Sequence, residues 1–394
     1  MKKTIEDFNL ENKKVIIRCD LNVPIKDGVI LDDNRIKMSL KTIKYAIDNN
    51  AKVILLSHLG RIKTLSDKEK NSLYPISVRL SELLGQKVTF INETRGLVVE
   101  NKISNMKPKE VILLENTRYE DLPDRKESTC DSILSNYWAS LGDIFINDAF
   151  GVSHRCHASN VGIAKNLPSG IGFLIKSEIN ALDNILNNIK RPYTVVLGGA
   201  KMNDKIKVIN ALIKKADYLL LGGGIANTFL VAEGYDLKES VYDKDSIKQA
   251  SRLLKKYKDK IILPIDFYEY TKYCDSKNKK YCKLNLVSDD NMVLDVGEDT
   301  VKLFSKYIKE SNTIFFNGPV GVFEFENFSY GTKKILEEMK CSKAKVIVGG
   351  GDSASAAIKF GFKDSFFHIS TGGGASLEYI SGNNMPGIDI INDK

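Results

Sequence analysis

The stretch HISTGGGASLEY, residues 368–379, joins a short apolar strand to a turn of three glycines and the start of a helix. Glycine has no Cβ, so its backbone N–H groups can approach an anion, and the helix that follows adds the positive end of its dipole. A phosphate loop of the GxxxxGK[ST] type carries its own lysine, whereas this stretch has none. The stretch therefore predicts a strand–turn–helix unit and an anion site whose cation comes from elsewhere in the chain.

The same unit recurs along the chain and decides the predicted fold class. Short apolar runs alternate with segments of helical period, which is the pattern of parallel βαβ units in an α/β fold. The predicted strands cover residues 15–19, 52–56, 87–91, 111–114 and 143–147 in the first half, and 193–197, 218–221, 260–263, 313–316, 345–348 and 366–370 in the second.

The length of the chain predicts two domains, because 394 residues with 43% hydrophobic content exceed what one core usually supports. In the segment SGIGFLIKSEINALDNILNNIKRP, residues 169–192, apolar residues recur near a period of 3.6, which predicts a connecting helix. We predict two Rossmann-like, three-layer α/β domains with parallel sheets at 1–170 and 192–380, joined by a helix and hinge at 171–191. A tail follows at 381–394, and the lysine-rich segment 270–283 is predicted to be an exposed excursion.

Composition and charge narrow the classes of function. The formal net charge of +8 suits anionic ligands, but solvated lysines on amphipathic helices explain most of it, so it is weak support for nucleic-acid binding. Six cysteines without a CxxC pair fit neither a zinc site nor a disulfide framework. The charged N-terminus lacks the apolar core of a signal peptide, and no run approaches a membrane span, so we expect a cytoplasmic protein.

Basic side chains follow the strand ends of the first half, where ligands bind in open parallel sheets. They are His58, Arg61, Arg118, His154, Arg155 and His157, and Arg35 lies at the start of the next helix. Singly, each suits a surface ion pair or a core histidine, but several cations at one sheet edge repel each other unless an anion lies among them. We predict a small ligand with carboxylate and phosphate groups, whose hydroxyls Asp20 and Asn22 would bind while orienting arginines.

Glycine replaces arginine at the strand ends of the second half. The turns are GGAKMNDK (198–205), GGGIANT (222–228), NGPVGVFE (317–324), GGGDSAS (349–355) and STGGGAS (370–376). Four of these five turns have a glycine pair or triple before a helix; tight packing explains one such turn, but four at one sheet edge predict a polyphosphate held by backbone amides. Lys201 and Lys205 are the candidate cations, on one helical face if the helix begins near Asn203. Asp352 is placed for Mg²⁺ and Glu324 for ribose hydroxyls.

Other classes of site have weaker support. No GxGxxG follows the first strand with an acidic residue about twenty positions later, as dinucleotide binding requires. The chain has no GxSxG elbow, no HExxH motif and no kinase HRD set. Ser153 beside His154 lacks a placed third group, so nucleophilic catalysis has no support.

Nine strings resemble the phosphoglycerate kinase family in order and approximate spacing, over nearly the whole chain. They are RCDLNVP, SHLGR, LENTRY, NDAFGVSHRCHAS, LGGAKMNDK, GGGIANTF, NGPVGVFE, GGGDSAS and HISTGGGASLE. The resemblance implies reversible phosphoryl transfer from 1,3-bisphosphoglycerate to Mg-ADP, giving 3-phosphoglycerate and ATP, by a monomer whose tail packs on the N-terminal domain. It implies that the N-terminal domain binds the glycerate and the C-terminal domain the nucleotide.

The resemblance also assigns roles to residues of this sequence. Those implied to bind 3-phosphoglycerate are Asp20, Asn22, Arg35, His58, Arg61, Arg118 and Arg155. Those implied to bind the nucleotide are Gly199, Ala200, Lys201, Lys205, Gly222, Gly223, Asn317, Pro319, Glu324, Gly350, Gly351, Asp352 and Ser353, with Mg²⁺ on Asp352. Arg35, Lys201, Gly373 and Gly374 are implied to stabilise the transferring phosphoryl group when the domains close.

The chain departs from the usual family pattern at Ile62, Phe316, Val320 and Ser353, and none of these changes removes a proposed charge. A catalytically silent phosphometabolite-binding protein is the alternative from another class. Retention of both Arg35 and Lys201 argues against it, because binding alone does not need a cation on each side of a moving phosphoryl group.

Overall fold

The computed structural model describes residues 1–394, which pack into two units. Unit 1 comprises Met1–Ile179 and Asn384–Lys394, and unit 2 comprises Asn180–Asn383. The division therefore falls within the predicted linker 171–191, and the last eleven residues belong to unit 1.

Unit 1 contains a six-stranded parallel sheet in the order β5-β6-β4-β1-β7-β8 and a small antiparallel hairpin, β2-β3. Its strands are β1 Lys14–Cys19, β2 Ile25–Lys26, β3 Val29–Ile30, β4 Lys52–Leu56, β5 Val88–Ile91, β6 Val111–Leu114, β7 Ile144–Asp148 and β8 Ser169–Ile171. Its helices are α1 Asn34–Asp48, α2 Leu65–Lys70, α3 Tyr74–Leu84, α4 Leu97–Ser104, α5 Ser132–Ser140 and α6 Phe173–Leu186, the last of which continues into unit 2.

The central strands of this sheet are apolar on both faces. In β1 every residue from Val15 to Cys19 is buried, and Val15, Ile16 and Ile17 pair in parallel with Val53, Ile54 and Leu55 of β4. Such near-continuous apolar strands are typical of parallel sheets covered by helices on both faces, since neither face meets water. The carboxyl ends of β1, β4, β6 and β7 consequently meet at one edge of the sheet.

Unit 2 contains a second six-stranded parallel sheet, in the order β11-β10-β9-β15-β16-β17, and a three-stranded antiparallel sheet, β13-β12-β14. Its strands are β9 Tyr193–Leu197, β10 Tyr218–Leu221, β11 Ile261–Ile262, β12 Asp266–Tyr270, β13 Lys280–Lys283, β14 Met292–Val296, β15 Thr313–Asn317, β16 Lys345–Val348 and β17 His368–Ile369. Its helices are α7 Ile206–Leu212, α8 Gly223–Glu233, α9 Ile247–Tyr257, α10 Glu298–Glu310, α11 Tyr330–Cys341, α12 Gly351–Lys359 and α13 Gly374–Ile380.

The structure confirms the predicted α/β class with parallel sheets in two units and every predicted strand, although 260–263 and 366–370 shorten to Ile261–Ile262 and His368–Ile369. The description of 270–283 as an exposed excursion is wrong in part. Its end, Lys280–Lys283, pairs antiparallel with β12, and Cys282 is buried against Phe267 and Leu230. Alternation places Cys282 on the core side while the lysines beside it face solvent, and the strand lacks the long apolar run that marked the others.

The C-terminal segment adds a short helix, α14 Pro386–Asp389, and is held to unit 1 by backbone and side-chain hydrogen bonds. Asn147 Nδ2 donates to the Gly387 carbonyl at 2.7 Å, and Gly387 N donates to the Ser153 carbonyl at 2.9 Å. Lys394 pairs with Asp7 at 2.9 Å. The segment thus completes the packing around the end of β7.

Candidate active site

One carboxylate and one amide side chain, Asp20 and Asn22, follow β1 and hold neighbouring parts of the candidate site in place. Arg35, in the first turn of α1, donates from Nη1 to both oxygens of Asp20 at 2.8 Å, and the Asp20 carboxylate is buried. Asn22 Oδ1 accepts from the backbone N–H of Gly60, in the turn after β4, at 3.0 Å. Asp20 therefore orients Arg35, whereas Asn22 holds the turn after β4 and contacts no arginine.

Basic residues of three loops line one pocket in unit 1, which we call the basic pocket. It has a volume of ≈ 690 Å³ and is lined by Arg61, Arg118, Arg155 and His157, among others. The pKa of Arg155 is lowered by burial and by Arg118 and Arg61, and burial together with nearby arginines lowers the pKa of His157 to about 3. The arginines of the basic pocket therefore destabilise each other in the free protein, and an anion among them would be stabilised, whereas His157 is neutral.

Arg118 is the most enclosed cation of the basic pocket. It follows β6 in a 3-10 turn, Thr117–Asp121, that Asn116 caps by accepting from Arg118 N at 3.1 Å. Its Nη1 lies 3.4 Å from Asp121 Oδ2, a long contact, and its buried Nε has no hydrogen-bond partner. A buried donor without a partner costs free energy until an acceptor arrives, which makes Nε a candidate ligand donor.

The structure brings the predicted glycerate residues into one region of unit 1, although only some of them line the basic pocket. Asp20, Asn22, Arg35 and His58 lie outside its lining. His58 nevertheless lies close to the same groups. Burial and the neighbouring residues Arg18, Arg118, His157 and Arg35 hold its pKa well below the ordinary value. Of these neighbours, Arg18 lies on β1 with no exposed surface, and nothing in the sequence pattern pointed to it as a site residue.

Four loops of unit 2 converge on a second pocket, of ≈ 190 Å³, which we call the glycine-turn pocket. Its lining includes Gly199 and Ala200 after β9, Gly223 and Gly224 after β10, residues 319–322 and Glu324 after β15, and Asp352 after β16. The turns approach closely, since a Cβ at Gly198 would lie 1.9 Å from the Pro319 carbonyl oxygen. Gly223, with φ of +60°, begins α8 beside the pocket, and its N–H donates to the Val320 carbonyl at 3.0 Å.

Lys205 lies beneath two of these turns. Its Nζ donates to the Gly198 carbonyl at 2.7 Å and to the Asn317 carbonyl at 3.0 Å, which leaves one of its three N–H donors for a ligand. A Cβ at Gly318 would lie 2.4 Å from this Nζ, so only glycine allows the amine to sit there. Burial lowers the pKa of Lys205 to about 8, and Asp352 and Asp204 oppose that shift.

Lys201 and Lys205 do not share a helical face. The turn Asn203–Lys205 is a 3-10 helix and α7 begins only at Ile206, so Lys201 precedes the helix and is exposed. The tight turn that the glycines impose after β9 delays the helix by three residues. Lys205 is therefore the partly buried cation of the turn, and Lys201 is an exposed one at its surface.

The remaining predicted nucleotide residues form the frame of the glycine-turn pocket rather than its lining. Asn317 Nδ2 donates to the Gly349 carbonyl at 2.6 Å, while its buried Oδ1 has no hydrogen-bond partner. Ser353 Oγ accepts from Gly318 N at 2.5 Å and so ties α12 to the β15 turn. Gly350, with φ of +91°, caps α12 ahead of Gly351, and Gly222 caps α8.

The stretch HISTGGGASLEY forms β17, a turn and α13 at the edge of the second parallel sheet, beside β16. Ser370 and Ser376 share a hydrogen bond of 2.6 Å across the turn, and Gly372 N donates to Ser370 Oγ at 3.1 Å. Gly373 has φ of +53°, and space is open where a Cβ would lie on Gly373 or Gly374. The two glycines stand outside the lining of the glycine-turn pocket; Gly373 is partly exposed and Gly374 is exposed.

Comparison with known proteins identifies the family that this chain resembles over its whole length. A family model described as phosphoglycerate kinase matches residues 5–383. The phosphoglycerate kinases of Enterococcus faecalis and Fusobacterium nucleatum are each 50% identical to this chain, covering 100% of both sequences. This chain belongs to the phosphoglycerate kinase family.

Solved structures of the phosphoglycerate kinase family are similar over nearly the whole chain. The structure from Coxiella burnetii superposes with a TM-score of 0.89 at 36% identity, covering 99% of this chain and 98% of that one. The structure from Pyrococcus horikoshii superposes with a TM-score of 0.86 at 33% identity, covering 98% of each. The protein is accordingly a kinase of glycolysis, a phosphotransferase whose acceptor is a carboxyl group.

The phosphoglycerate kinase family implies a Mg²⁺ ion with the nucleotide, and the donors present fit it. No group of three or more His, Cys, Asp or Glu residues is placed to hold a metal. Asp352 offers one carboxylate at the glycine-turn pocket, and the unpartnered Asn317 Oδ1 offers a neutral oxygen nearby. Mg²⁺ commonly binds one or two carboxylates and completes its shell with water and phosphate oxygens.

Tyr273 is a pocket residue that the sequence did not reveal. It lies in the 270–283 segment, lines the glycine-turn pocket and packs edge-on against Phe325 with ring centroids 5.2 Å apart. An aromatic residue in a lysine-rich loop just after a strand end was the available signal.

No helix of the protein is long and apolar enough to span a bilayer.

Proposed function

We propose that this protein transfers the acyl phosphate of 1,3-bisphosphoglycerate to Mg-ADP, reversibly, giving 3-phosphoglycerate and ATP. The observation that carries the proposal is the pair of anion sites of different chemistry on its two units. The basic pocket offers charged side chains, and the glycine-turn pocket offers backbone amides with one buried lysine. A small acid with phosphate suits the first, and a nucleotide suits the second.

In unit 1 the glycerate is bound by Asp20, Asn22, Arg35, His58, Arg61, Arg118 and Arg155. Arg118 Nε, a buried donor without a partner, takes an oxygen of the ligand and so recovers its hydrogen bond. Asp20 holds Arg35 through Nη1, and the guanidinium of Arg35 contributes its positive charge to the phosphoryl group. Relief of the repulsion among the arginines stabilises the bound anion.

In unit 2 the nucleotide phosphates lie against the turns around Gly199, Gly223 and Gly350, with Lys205 beneath them, while Glu324 accepts from the ribose. Mg²⁺ held near Asp352 would neutralise charge on the phosphates when bound. Lys201 is exposed and unencumbered, so it can follow the phosphoryl group, and the amides of Gly373 and Gly374 add uncharged donors.

Transfer needs in-line positioning and cations on the equatorial oxygens, and it needs little covalent work from the protein. We propose that the units close on each other, so that Arg35 and Lys201 bracket the moving group and water is excluded. No general base is required, because the acceptor carboxylate is ionised at neutral pH. A monomer in the cytoplasm suffices for this mechanism.

An assay of ATP consumption, coupled to reduction of the acyl phosphate formed, tests the proposal. Turnover is expected only when 3-phosphoglycerate, ATP and Mg²⁺ are all present, and omission of any one should reduce the rate to background. A folded protein that binds both ligands without turnover would favour the catalytically silent binding protein instead.

A further inference from the structure

A set of buried polar side chains lies near the carboxyl ends of β1 and β4, and the proposed mechanism uses only one of its members, His58. It comprises Arg18, His58, Glu127 and Ser159, and we call it the Arg18 network. Arg18, Glu127 and Ser159 have no exposed surface, and His58 is 6% exposed. A fully buried arginine costs considerable desolvation free energy, which only paired, hydrogen-bonded surroundings offset, so each of its contacts is informative.

Arg18 uses three nitrogens of its guanidinium within the network. Nε donates to Ser159 Oγ at 2.8 Å, Nη1 donates to the carbonyl of Cys19, and Nη2 lies 3.2 Å from His58 Nδ1. Arginine carries five N–H donors and no acceptor. Every partner of Arg18 must therefore present a lone pair.

The hydrogen bonds of Ser159 extend the network from Arg18 to Glu127. Because its Oγ accepts from Arg18, the single hydroxyl proton is free to donate to Glu127 Oε1, at 2.5 Å, and Ser159 N donates to Oε2 at 2.9 Å. Both oxygens of Glu127 accept, as in an ionised carboxylate. Burial raises the pKa of Glu127, and the charge of Arg18 lowers it, so the two buried charges compensate each other through the serine.

The same requirement fixes the proton of His58. Its Nδ1 must accept from Arg18 Nη2, so a neutral His58 carries its proton on Nε2. A protonated ring would turn Nδ1–H toward Arg18 and set donor against donor and cation against cation. Geometry alone thus selects one tautomer and one charge state.

The charged and titratable groups around His58 act in the same direction. They are Arg18 on β1, Arg35 on α1, Arg118 in the turn after β6 and His157 ahead of the helical turn Ala158–Gly162; with burial as the largest cause, they hold the pKa of His58 well below its ordinary value. Neither arginine on the ligand side, Arg35 nor Arg118, has an acceptor to offer the Nε2–H. An anionic ligand supplies one.

We propose that Arg18, held by Ser159 and Glu127, is a positioning residue that fixes His58 as the neutral Nε2–H tautomer and so keeps it a hydrogen-bond donor to the glycerate ligand. The proposal rests on the proposed function for the identity of that ligand. His58 then binds the anion as a neutral donor at every working pH, while the arginines supply the charge.

Long-range ¹H–¹⁵N spectra of the full protein, with His58 assigned by comparison with His58→Asn, read the tautomer directly. We expect a pyridine-type Nδ1 and a pyrrole-type Nε2 that do not titrate between about pH 5 and 8. A protonated Nδ1, or titration of His58 near the ordinary value of about 6.5, would overturn the proposal. This result requires no variant of the network to fold.

Variants of the Arg18 network then distinguish a positioning role of Arg18 from a purely structural one. Arg18→Met with Glu127→Gln removes both buried charges together, and Ser159→Ala weakens the connection while keeping them. In folded variants we expect mixed His58 tautomers and a His58 that titrates. We also expect a KM for 3-phosphoglycerate about tenfold higher that rises further below the new pKa, with the KM for Mg-ATP unchanged.

Equal losses in both KM values, or an unchanged tautomer with the loss confined to kcat, would contradict the positioning role. A wild-type protein without turnover would overturn the proposed function instead. The spectra would still decide whether Arg18 sets the tautomer, so the two failures are distinguishable.

Discussion

At the residue scale, Arg35 is the side chain on which transfer depends most. We expect Arg35→Ala to keep the affinity for Mg-ADP and to lower kcat by roughly 10³-fold, about 4 kcal/mol of barrier, because a cation on the moving phosphoryl group acts mainly in the transition state. Steady-state kinetics and nucleotide calorimetry measure the two effects. Lys37→Ala, on the same helix and paired only with Asp33, is the matched control and should keep wild-type rates. Unchanged turnover in Arg35→Ala would remove the arginine from the mechanism.

Lys205 links nucleotide affinity to pH. Its pKa in the free protein is lowered to about 8 by burial, and only the protonated amine attracts phosphates. The affinity for Mg-ADP should therefore be constant below about pH 8 and weaken progressively above it. Calorimetry between about pH 7 and 10 follows this change, which Lys205→Met should abolish and Lys207→Met, an exposed neighbour, should preserve. Equal pH profiles for the wild type and Lys205→Met would contradict the role.

Individual site residues differed in how far the sequence revealed them. Arg61, Arg118 and Arg155 were predictable as lining one region because each lies in the loop that follows a strand, and the carboxyl ends of those strands must face the ligand edge. Arg18 was not predictable, because it lies within β1, where the apolar pattern of the strand predicts a buried apolar side chain. Lys205 was identified as a cation, but its depth beneath the Gly198 and Gly318 turns depends on a close approach of two loops distant in sequence.

At the element scale, the turn before α13 tests the role of backbone amides. Gly373 and Gly361 both have positive φ, +53° and +79°, and neither has an atom within 4 Å of an added Cβ. Alanine at either position should cost roughly 1 kcal/mol of stability through backbone strain alone. We expect only Gly373→Ala to lower kcat as well, with the affinity for ADP retained. Equal kcat values in the two variants would show that this turn takes no part in phosphoryl transfer.

The start of α6 carries a buried carboxyl group. Asp148, at the end of β7, accepts from the backbone N–H groups of Leu174 and Ile175 at 2.9 and 3.2 Å, and burial raises its pKa to about 7. Because the folded-state pKa lies above the unfolded value of 3.8, the stability gained from the protonated form is full below about pH 4 and is lost as pH rises through about 7.

Replacing Asp148 by Asn should remove this dependence. Relative to Asp148→Asn, the wild type should lose up to about 4 kcal/mol of unfolding free energy between about pH 4 and 8. Urea unfolding of both proteins at several pH values measures the difference. Parallel profiles would show that Asp148 titrates normally.

Elements with long apolar runs were predictable, whereas those defined by pairing were not. The strand Tyr193–Leu197 is buried throughout and stands out in the sequence. The strand Ser169–Ile171 has only three residues, one of them glycine, and exists because it pairs with β7 at the sheet edge. The antiparallel sheet around Asp266–Tyr270 was missed for the same reason, since Lys280–Lys283 has a single buried side chain.

At the scale of the whole molecule, the α/β class and the two units followed from length and from alternating strands and helices. The strand orders, with β1 and β9 inside their sheets, did not, because they depend on which crossovers pack best. Nor does local sequence show that residues 384–394 pack against Asn147 and Ser153, more than two hundred positions earlier.

In the proposed reaction the phosphoryl group of ATP passes to a carboxylate rather than to water. Trapping with hydroxylamine tests it, because an acyl phosphate reacts to a stable hydroxamate while a phosphate ester does not. With 3-phosphoglycerate, Mg²⁺ and ATP, the protein should form ADP and hydroxamate in equal amounts. Formation of ADP without hydroxamate, or of no ADP at all by folded protein, would contradict the proposed transfer to a carboxylate.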